Sequence, residues 1–557
     1  MIIITVGVLA YSNTFQVPFL FDDFSNIVEN PVIKDFRYFT NPVSASDVPL
    51  YQFFKSRFIG YATFALNYKL HGLNVTGYHI LNLIIHIANA LLLYLLIMLS
   101  FRTPSLRERS LKNYSNLIGI FSALFFVSHP IQTQAVTYIV QRLASLATMF
   151  YLLSLISYVQ SRLSVSRVRS SSFYVVSLIS AVLAMKTKEI SFTLPFTITL
   201  YEFLFFTGRK IKRLLHLIPI LLTLLIIPLT FMGASQSLGD AIGAVSEVTR
   251  VMTPMSRWDY LFTQFRVIVM YIRLLFLPIN QTLDYDYPLY HSLFEPEVFL
   301  SFLFLMALCF IGFYLFYRAK SKDRKSDQPL ELIAFGVLWF FLTLSVESSI
   351  IPIVDLTFEH RLYLPSVGVF IAITTGLFIA KDKLVEGKLS FQKTMLPACV
   401  LILIIFTYAT YSRNVVWQDK TTLWEDTVKK APFNARAHNS LGFAYSSEGF
   451  IDKAMEQYQI AIRLKPDYAE PQNNLANSYE SKGLIDKAIE HYLLALRLHP
   501  DYADAHFNLG NIYFSEGLLD EAIEHYQISL QLNPDDAEAL QKLRLANDRR
   551  RQRENIR

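Results

Sequence analysis

Eleven apolar runs, starting near Ile2, Tyr78, Asn116, Leu143, Phe173, Ile190, Leu214, Val298, Leu332, Leu364 and Met395, constrain this chain more than any other feature. Each is long enough, or nearly so, to cross about 30 Å of hydrocarbon as a helix. Composition agrees: 53% of the 557 residues are hydrophobic and 17% charged, where a soluble chain carries roughly 25% charged residues. The expectation is a multi-pass membrane protein with about eleven spans.

Five basic clusters punctuate the runs: Arg102 to Lys112, Arg162 to Arg169, Arg209 to Arg213, Arg318 to Lys325 and Lys381 to Lys393. Basic short loops stay cytoplasmic, so alternate loops are assigned to that side. The net charge of +6 reads as a topology signal, with no nucleic-acid partner expected. One further stretch, Tyr260 to Pro278, carries Gln264, Arg266 and Arg273 and reads as an interfacial or re-entrant helix on the outer side. The outer face then receives the loop 22–77, the His129 corner, the Lys186 to Glu189 corner, residues 234–297, the loop before Tyr363, and the C-terminal region. Cys309 and Cys399 lie inside apolar runs, and no disulfide framework or zinc spacing follows from them.

A second pattern begins at Pro432. Pro432, Pro466, Pro500 and Pro534 stand 34 residues apart, the tetratricopeptide period. Leu441/Leu475/Leu509, Gly442/Ala476/Gly510, Ala454/Ala488/Ala522 and Tyr458/Tyr492/Tyr526 recur in register. Small residues let two helices close on each other, and the aromatics fill the seam. The fold class is therefore all-α, a polytopic helical bundle followed by an α-solenoid. The expected divisions are a membrane domain over 1–415, a linking and capping helix over 416–431, three repeats with a capping helix over 432–546, and a basic tail over 547–557.

The chemistry-bearing residues fall on the expected outer face. Asp22 and Asp23 follow the first apolar run directly, where carboxylates are costly unless solvated, paired or used. They read either as a helix cap or as a general base that deprotonates an acceptor hydroxyl. His129 with Gln132, Gln134 and Arg142 forms a second polar corner, Lys186-Thr-Lys-Glu189 a third, and Glu359-His-Arg-Leu-Tyr363 a fourth. Arg57, Arg142, Lys186, Lys188 and Arg361 suit a lipid phosphate, or simply snorkel to headgroups. His129, Glu189, Glu359, His360 and Tyr363 are candidate orienting or acceptor contacts. Asp284 and Asp286 lie in a tyrosine-rich loop, His79 and His86 share one helix face and read as packing histidines, and Asn74 and Asn280 open sequons.

In combination these motifs resemble the GT-C glycosyltransferases that carry tetratricopeptide repeats, the transmembrane-and-TPR O-mannosyltransferase-like family and its prokaryotic relatives. The resemblance rests on Phe21-Asp22-Asp23 with Asn30-Pro31, Leu66-Asn67-Tyr68 through Gly77-Tyr78-His79 to Asn82 and His86, His129-Pro130 with Ala135 to Ile139, Lys188-Glu189, and His360-Arg361-Leu362-Tyr363-Leu364-Pro365. It implies a GT-C-like membrane domain, a polyprenyl- or dolichyl-phosphate sugar donor, a base from the first outer loop, and inverting transfer of a sugar such as mannose to a protein or peptide hydroxyl. The repeats would recruit the acceptor or a protein partner. The membrane would be the prokaryotic cytoplasmic membrane or the endoplasmic reticulum, with the active site and repeats on the outer or lumenal side. Two positions depart from the family pattern: Arg57-Phe58 stands where Arg-Pro is expected, and Gln132 and Gln134 replace a polar or acidic pair. The second change removes a carboxylate suited to a divalent metal, so the sequence permits a metal but requires no cofactor. The rival readings are a non-enzymatic scaffold displaying the repeats and a lipid or sugar transporter.

Overall fold

A computed structural model describes residues 1–46, 48, 51–231, 255–321, 328–384 and 391–556. Part of the expected outer loop 234–297 and the basic residues Lys322, Arg324, Lys325 and Lys388 lie outside the described residues. Among the described residues there are helices and no strands. The chain divides into two compact units, one formed by Met1–Leu283 with Tyr287–Gln418, the other by Asp419–Arg557 with Asp284–Asp286.

In the first unit every one of the eleven apolar runs is helical. Among the described residues seven helices are long and apolar enough to cross a membrane, and an eighth crossing arises if the bent pair Leu111–Ser128 and Pro130–Thr137 counts as one. Three runs form shorter helices: Ile2–Tyr11, Leu194–Phe205 and Leu330–Leu344, of 10, 12 and 15 residues. At 1.5 Å per residue none of the three spans about 30 Å by itself. Local signals set the boundaries. Asn74 Oδ1 accepts from Thr76 N at 3.0 Å and caps Val75–Ser100, and Asn30 Oδ1 does the same for the turn at Pro31.

Several helices meet through buried polar contacts. Glu202, fully buried, pairs with Arg162 and Arg213 at 2.9 Å each and accepts from the Tyr158 hydroxyl at 3.0 Å. Two arginines from basic loops thus join Arg142–Leu163, Leu194–Phe205 and Lys210–Leu222, because a buried carboxylate is tolerated only when paired. Leu330–Leu344 and Tyr363–Leu384 approach at Gly336 and Gly368, where a Cβ on Gly336 would stand 2.2 Å from the Gly368 carbonyl oxygen.

The stretch Tyr260 to Pro278 lies mostly in the helix Arg257–Phe276, which carries Arg257, Asp259, Arg266 and Arg273 and buries one face formed by Tyr260, Gln264, Val267, Tyr271 and Leu275. It braces the loop before Tyr363. Tyr260 donates to Glu347 O at 2.6 Å, Gln264 to Leu356 O at 3.0 Å, and Tyr271 to Phe358 O at 3.0 Å.

The second unit is a run of helix pairs, Ala435–Ser447 with Ile451–Leu464, Ala469–Ser481 with Ile485–Leu498, and Ala503–Ser515 with Leu519–Leu532, flanked by Lys420–Lys430 and Ala537–Ile556. Each pair turns at a glycine with positive φ: Gly449 at 84°, Gly483 at 73° and Gly517 at 76°. Left-handed backbone of this kind favours glycine. Across each seam a small residue meets a tyrosine, and a Cβ on Gly442 would stand 2.6 Å from the Tyr458 ring.

The two glycines of the Tyr363 helix region give a paired prediction. Gly336→Ala drives a methyl into backbone and is expected to cost about 1–3 kcal/mol, read as a lower thermal midpoint in detergent. Gly376→Ala meets nothing within 4 Å and is expected to hold or raise the midpoint, because alanine is the better helix former by about 1 kcal/mol.

Candidate active site

The segment that follows the first helix begins under strain. Phe21 has φ of 48°, rare for a bulky residue, and the chain then enters a π-helical turn over Phe24–Val28. The two aspartates between these features occupy different surroundings. Asp23 is 1% exposed, and its Oδ1 and Oδ2 accept from Val140 N at 2.7 Å and Leu20 N at 3.0 Å. Asp22 is half-buried, and its backbone N donates to the Tyr138 hydroxyl at 2.8 Å. Burial pushes the Asp23 carboxyl up to about 8 against the pull of those two N–H groups, and the neighbouring Asp22 adds to the rise.

Arg142 lies at 0% exposure beneath this segment. Its Nε donates to Asn82 Oδ1 at 2.6 Å, one Nη to Asn67 Oδ1 at 2.6 Å and to Thr63 O at 3.3 Å, and the other Nη to Tyr78 O at 3.0 Å. The Phe64 ring covers the guanidinium at 4.6 Å. The sequence suggests a phosphate contact here, whereas the structure directs Nε and both Nη atoms into the protein.

A cluster of charges forms where the first segment, the Lys186 corner and the loop before Tyr363 meet. Arg57 Nε lies 3.1 Å from Glu189 Oε1 and 3.2 Å from Oε2, and Ser56 Oγ donates to the same carboxylate at 3.2 Å. Lys188 Nζ lies 2.9 Å from Glu347 Oε1. Arg361 donates to the carbonyls of Asp355 at 2.6 Å and Leu356 at 3.0 Å, which folds the loop onto its own side chain. Lys186 is half-buried, and its Nζ donates to Thr230 Oγ1. Burial and the nearby positive Lys55 lower the Lys186 ammonium, while Glu189, pushed up by burial, is brought below the usual carboxylate range by Arg57. Lys55 and Arg57 therefore gather with Lys186 and Lys188 from a second segment, with Glu189 of that segment and Glu347 of a third among them.

Short contacts tie this cluster to the aspartates. Asn26 Nδ2 donates to Asp22 O at 2.9 Å, and the Tyr61 hydroxyl donates to Asn26 Oδ1 at 2.8 Å. Tyr61 lies one helical turn beyond Arg57, whose charge and that of Glu189 both act on it.

The remaining expected residues are internal. His129 is buried, its Nε2 3.1 Å from Leu275 O and its Nδ1 accepting from Ile131 N at 3.1 Å. Glu359 accepts from Gln281 Nε2 at 2.7 Å and Thr282 N at 3.0 Å. The Tyr363 hydroxyl meets His86 Nδ1 at 2.7 Å and Asn89 Nδ2 at 3.1 Å. His360 N donates to Gln134 Oε1 at 2.7 Å, and Gln134 Nε2 is buried without a partner. His79 Nε2 lies 2.8 Å from Val17 O. Among the described residues no three His, Cys, Asp or Glu side chains converge on one point, and Asp23 already serves two N–H groups, so these groups do not make a resident cation site.

Sequence reasoning gave no site role to Lys55, Asn26, Tyr61 or Glu347, and none to Tyr138 and Tyr260 beyond their place in the quoted motif and the interfacial stretch. Two signals were present: Tyr260, Gln264 and Tyr271 recur at helical spacing in an otherwise apolar stretch, and Glu347 is a lone acid just past the apolar helix ending at Leu344.

Comparisons with known proteins bear on what this arrangement does. Protein O-mannosyl-transferase TMTC3 of Mus musculus is 26% identical over 509 residues, covering 84% of this chain and 51% of that protein. Protein O-mannosyl-transferase F38B6.6 of Caenorhabditis elegans is 26% identical over 485 residues, covering 84% and 63%. The chain resembles the transmembrane-and-TPR protein O-mannosyl-transferases along most of its length. It spans about half to less than two thirds of the length of these curated relatives. The tetratricopeptide repeat family matches residues 473–537 and the TPR repeat family residues 444–483. The crystal structure of MamA is 28% identical over 23% of this chain and 76% of its own, with a TM-score of 0.22.

The Asp23 environment gives a pH prediction. The folded carboxyl keeps its proton up to about 8, against its ordinary value of 3.8. The folded state therefore binds more protons than the unfolded state between these values, and stability falls as pH rises through the interval. Thermal unfolding in detergent from about pH 5 to about pH 8 is expected to show a shallower decline in Asp23→Asn than in the parent; parallel declines would contradict the assignment.

Proposed function

We propose that the protein is an inverting, GT-C-type membrane glycosyltransferase that moves a sugar, mannose in the curated relatives' naming, from a polyprenyl- or dolichyl-phosphate donor to a protein hydroxyl. The observation that carries this reading is the half-buried Asp22, whose main-chain carbonyl is held by Asn26 and, through it, by Tyr61 one helical turn beyond Arg57 of the cation cluster. Resemblance to proteins named O-mannosyl-transferases supports it. The basic-loop alternation of the sequence supports an outer or lumenal site, with the repeats on the same side.

Asp22 acts as base, taking the acceptor hydroxyl proton as the oxygen attacks the anomeric carbon. The bond from that carbon to the phosphate oxygen breaks, and the lipid phosphate leaves with the electron pair. A phosphate leaving group needs little acid assistance but does need its charge met, and Lys186 with the neighbouring Lys55 meets it, while Arg57 and Lys188, paired with Glu189 and Glu347, hold the segments around them. Lys55 and Lys186 repel each other when no anion lies between them, so an arriving phosphate gains from both. Asp23, Arg142, Glu359, His129, His360, Arg361 and Tyr363 hold the segments that carry these groups. The repeats recruit the acceptor or a protein partner.

The test is transfer from a lipid-phosphate sugar to an acceptor peptide by purified protein in nanodiscs. A positioned base contributes about 10²–10⁴-fold, so Asp22→Asn is expected to lower turnover by that factor with the thermal midpoint unchanged. Lys186→Ala is expected to raise the donor KM. Unchanged turnover in Asp22→Asn would remove the base assignment.

A further inference from the structure

Two histidines face each other inside the third repeat pair. His506 on Ala503–Ser515 and His525 on Leu519–Leu532 bring their Nδ1 atoms to 2.8 Å, with ring centroids 5.1 Å apart. His506 is buried and His525 half-buried. Two ring nitrogens at this distance share a proton, one donating and the other accepting. The Pro500 carbonyl oxygen settles which does which. It lies 3.0 Å from His506 Nε2 and can only accept, so His506 keeps its proton there and its Nδ1 accepts from His525 Nδ1–H.

The other two pairs fill the same positions, 34 residues apart along the chain, with one histidine and one glutamine. His438 Nδ1 meets Gln457 Oε1 at 2.8 Å in the first, and His491 Nδ1 meets Gln472 Oε1 at 2.7 Å in the second. An imidazole that donates to an amide oxygen keeps that bond when it becomes charged. Two imidazoles do not share this freedom. The first added proton goes to His525 Nε2 and leaves the bond between the rings intact. The next goes to His506 Nδ1, and then N–H faces N–H between two positive rings.

The surrounding charges do not cancel this. Burial lowers His525, the nearby His506 lowers it further, and Glu524 on the same helix pulls the other way. Burial also lowers His491, but there Glu490 and Lys487 of its own helix are the charges acting on it. Tyr513 of the first helix stacks on His525 at 5.5 Å. Nearby, Glu521 acts on Tyr513, Asp504 on Tyr502, and Glu538 of the flanking helix Ala537–Ile556 on Tyr526. His525 lies between Ile523 and Tyr526, which pack with Phe507, Phe514 and Leu543 in the seam that the two rings help to close.

We propose that the third helix pair is an acid-sensitive element of the repeat array: His506 and His525 hold its two helices together with at most one added proton, and the second proton parts them. Repeats contact mainly their neighbours, so the opening loosens the array from Ala503 onward and leaves the first pair closed. The proposal concerns the repeats alone and does not rest on the transferase reading.

The test is hydrogen exchange of the full chain in detergent at pH 7.5 and pH 5.5, read by mass spectrometry as protection factors corrected for the intrinsic rate. An unfolded histidine titrates near about 6.5, so a folded pair that refuses the proton loses stability as pH falls below that value, about tenfold in the opening equilibrium per pH unit. Protection over residues 503–532 is expected to fall about tenfold in the parent between the two conditions. His506→Gln restores the glutamine–histidine arrangement of the second pair and His525→Gln the histidine–glutamine arrangement of the first, and each is expected to remove most of that fall. Should either variant be open already at pH 7.5, residues 435–464 of the parent serve as the reference, and their protection is expected to hold while that of 503–532 drops. No drop in the parent, an equal drop in both glutamine variants, or an equal drop over 435–464 would each overturn the proposal.

Discussion

Everything proposed for the membrane unit depends on one buried cation. Arg142 starts a long helix and donates to Asn67, Thr63, Asn82 and Tyr78, which belong to two other helices. A guanidinium in such surroundings is tolerable only if its donors are met, and breaking a buried charge network costs several kcal/mol. The arrangement therefore fixes the geometry of three helix ends at once. Asp23 ties the segment after the first helix to the same place through Val140 N, two residues before Arg142.

On that base the two adjacent aspartates separate. Asp23 gives both oxygens to backbone N–H groups, which leaves Asp22 as the more open carboxylate. Two like groups in unlike surroundings are a common way for one site to hold both a structural and a reactive member. The cations are arranged similarly: Arg361 is spent on loop carbonyls, Lys188 on Glu347 and Arg57 on Glu189, while Lys186 has a neutral hydroxyl as its hydrogen-bond partner.

What the sequence reveals depends on how far apart the interacting residues lie. The repeats are legible because Gly442 and Tyr458, or Gly510 and Tyr526, meet within one 34-residue unit and recur. The helical runs are legible because hydrocarbon demands long apolar segments, although Ile2–Tyr11, Leu194–Phe205 and Leu330–Leu344 stop short of a full crossing. Arg142 reads from sequence like a headgroup contact, since the asparagines that take its donors are 75 and 60 residues away. Glu347 is invisible for the same reason, as its partner Lys188 sits on another helix corner.

The central claim is that Asp22 and the cation cluster form one site for a lipid-phosphate sugar. Its most direct test is mass spectrometry of the lipids that copurify with the chain in mild detergent, for the parent and for Lys186→Ala. The account predicts an isoprenoid phosphate or its sugar-bearing form with the parent, depleted in the variant. The same ordinary phospholipids in both preparations, with no isoprenoid phosphate, would contradict it.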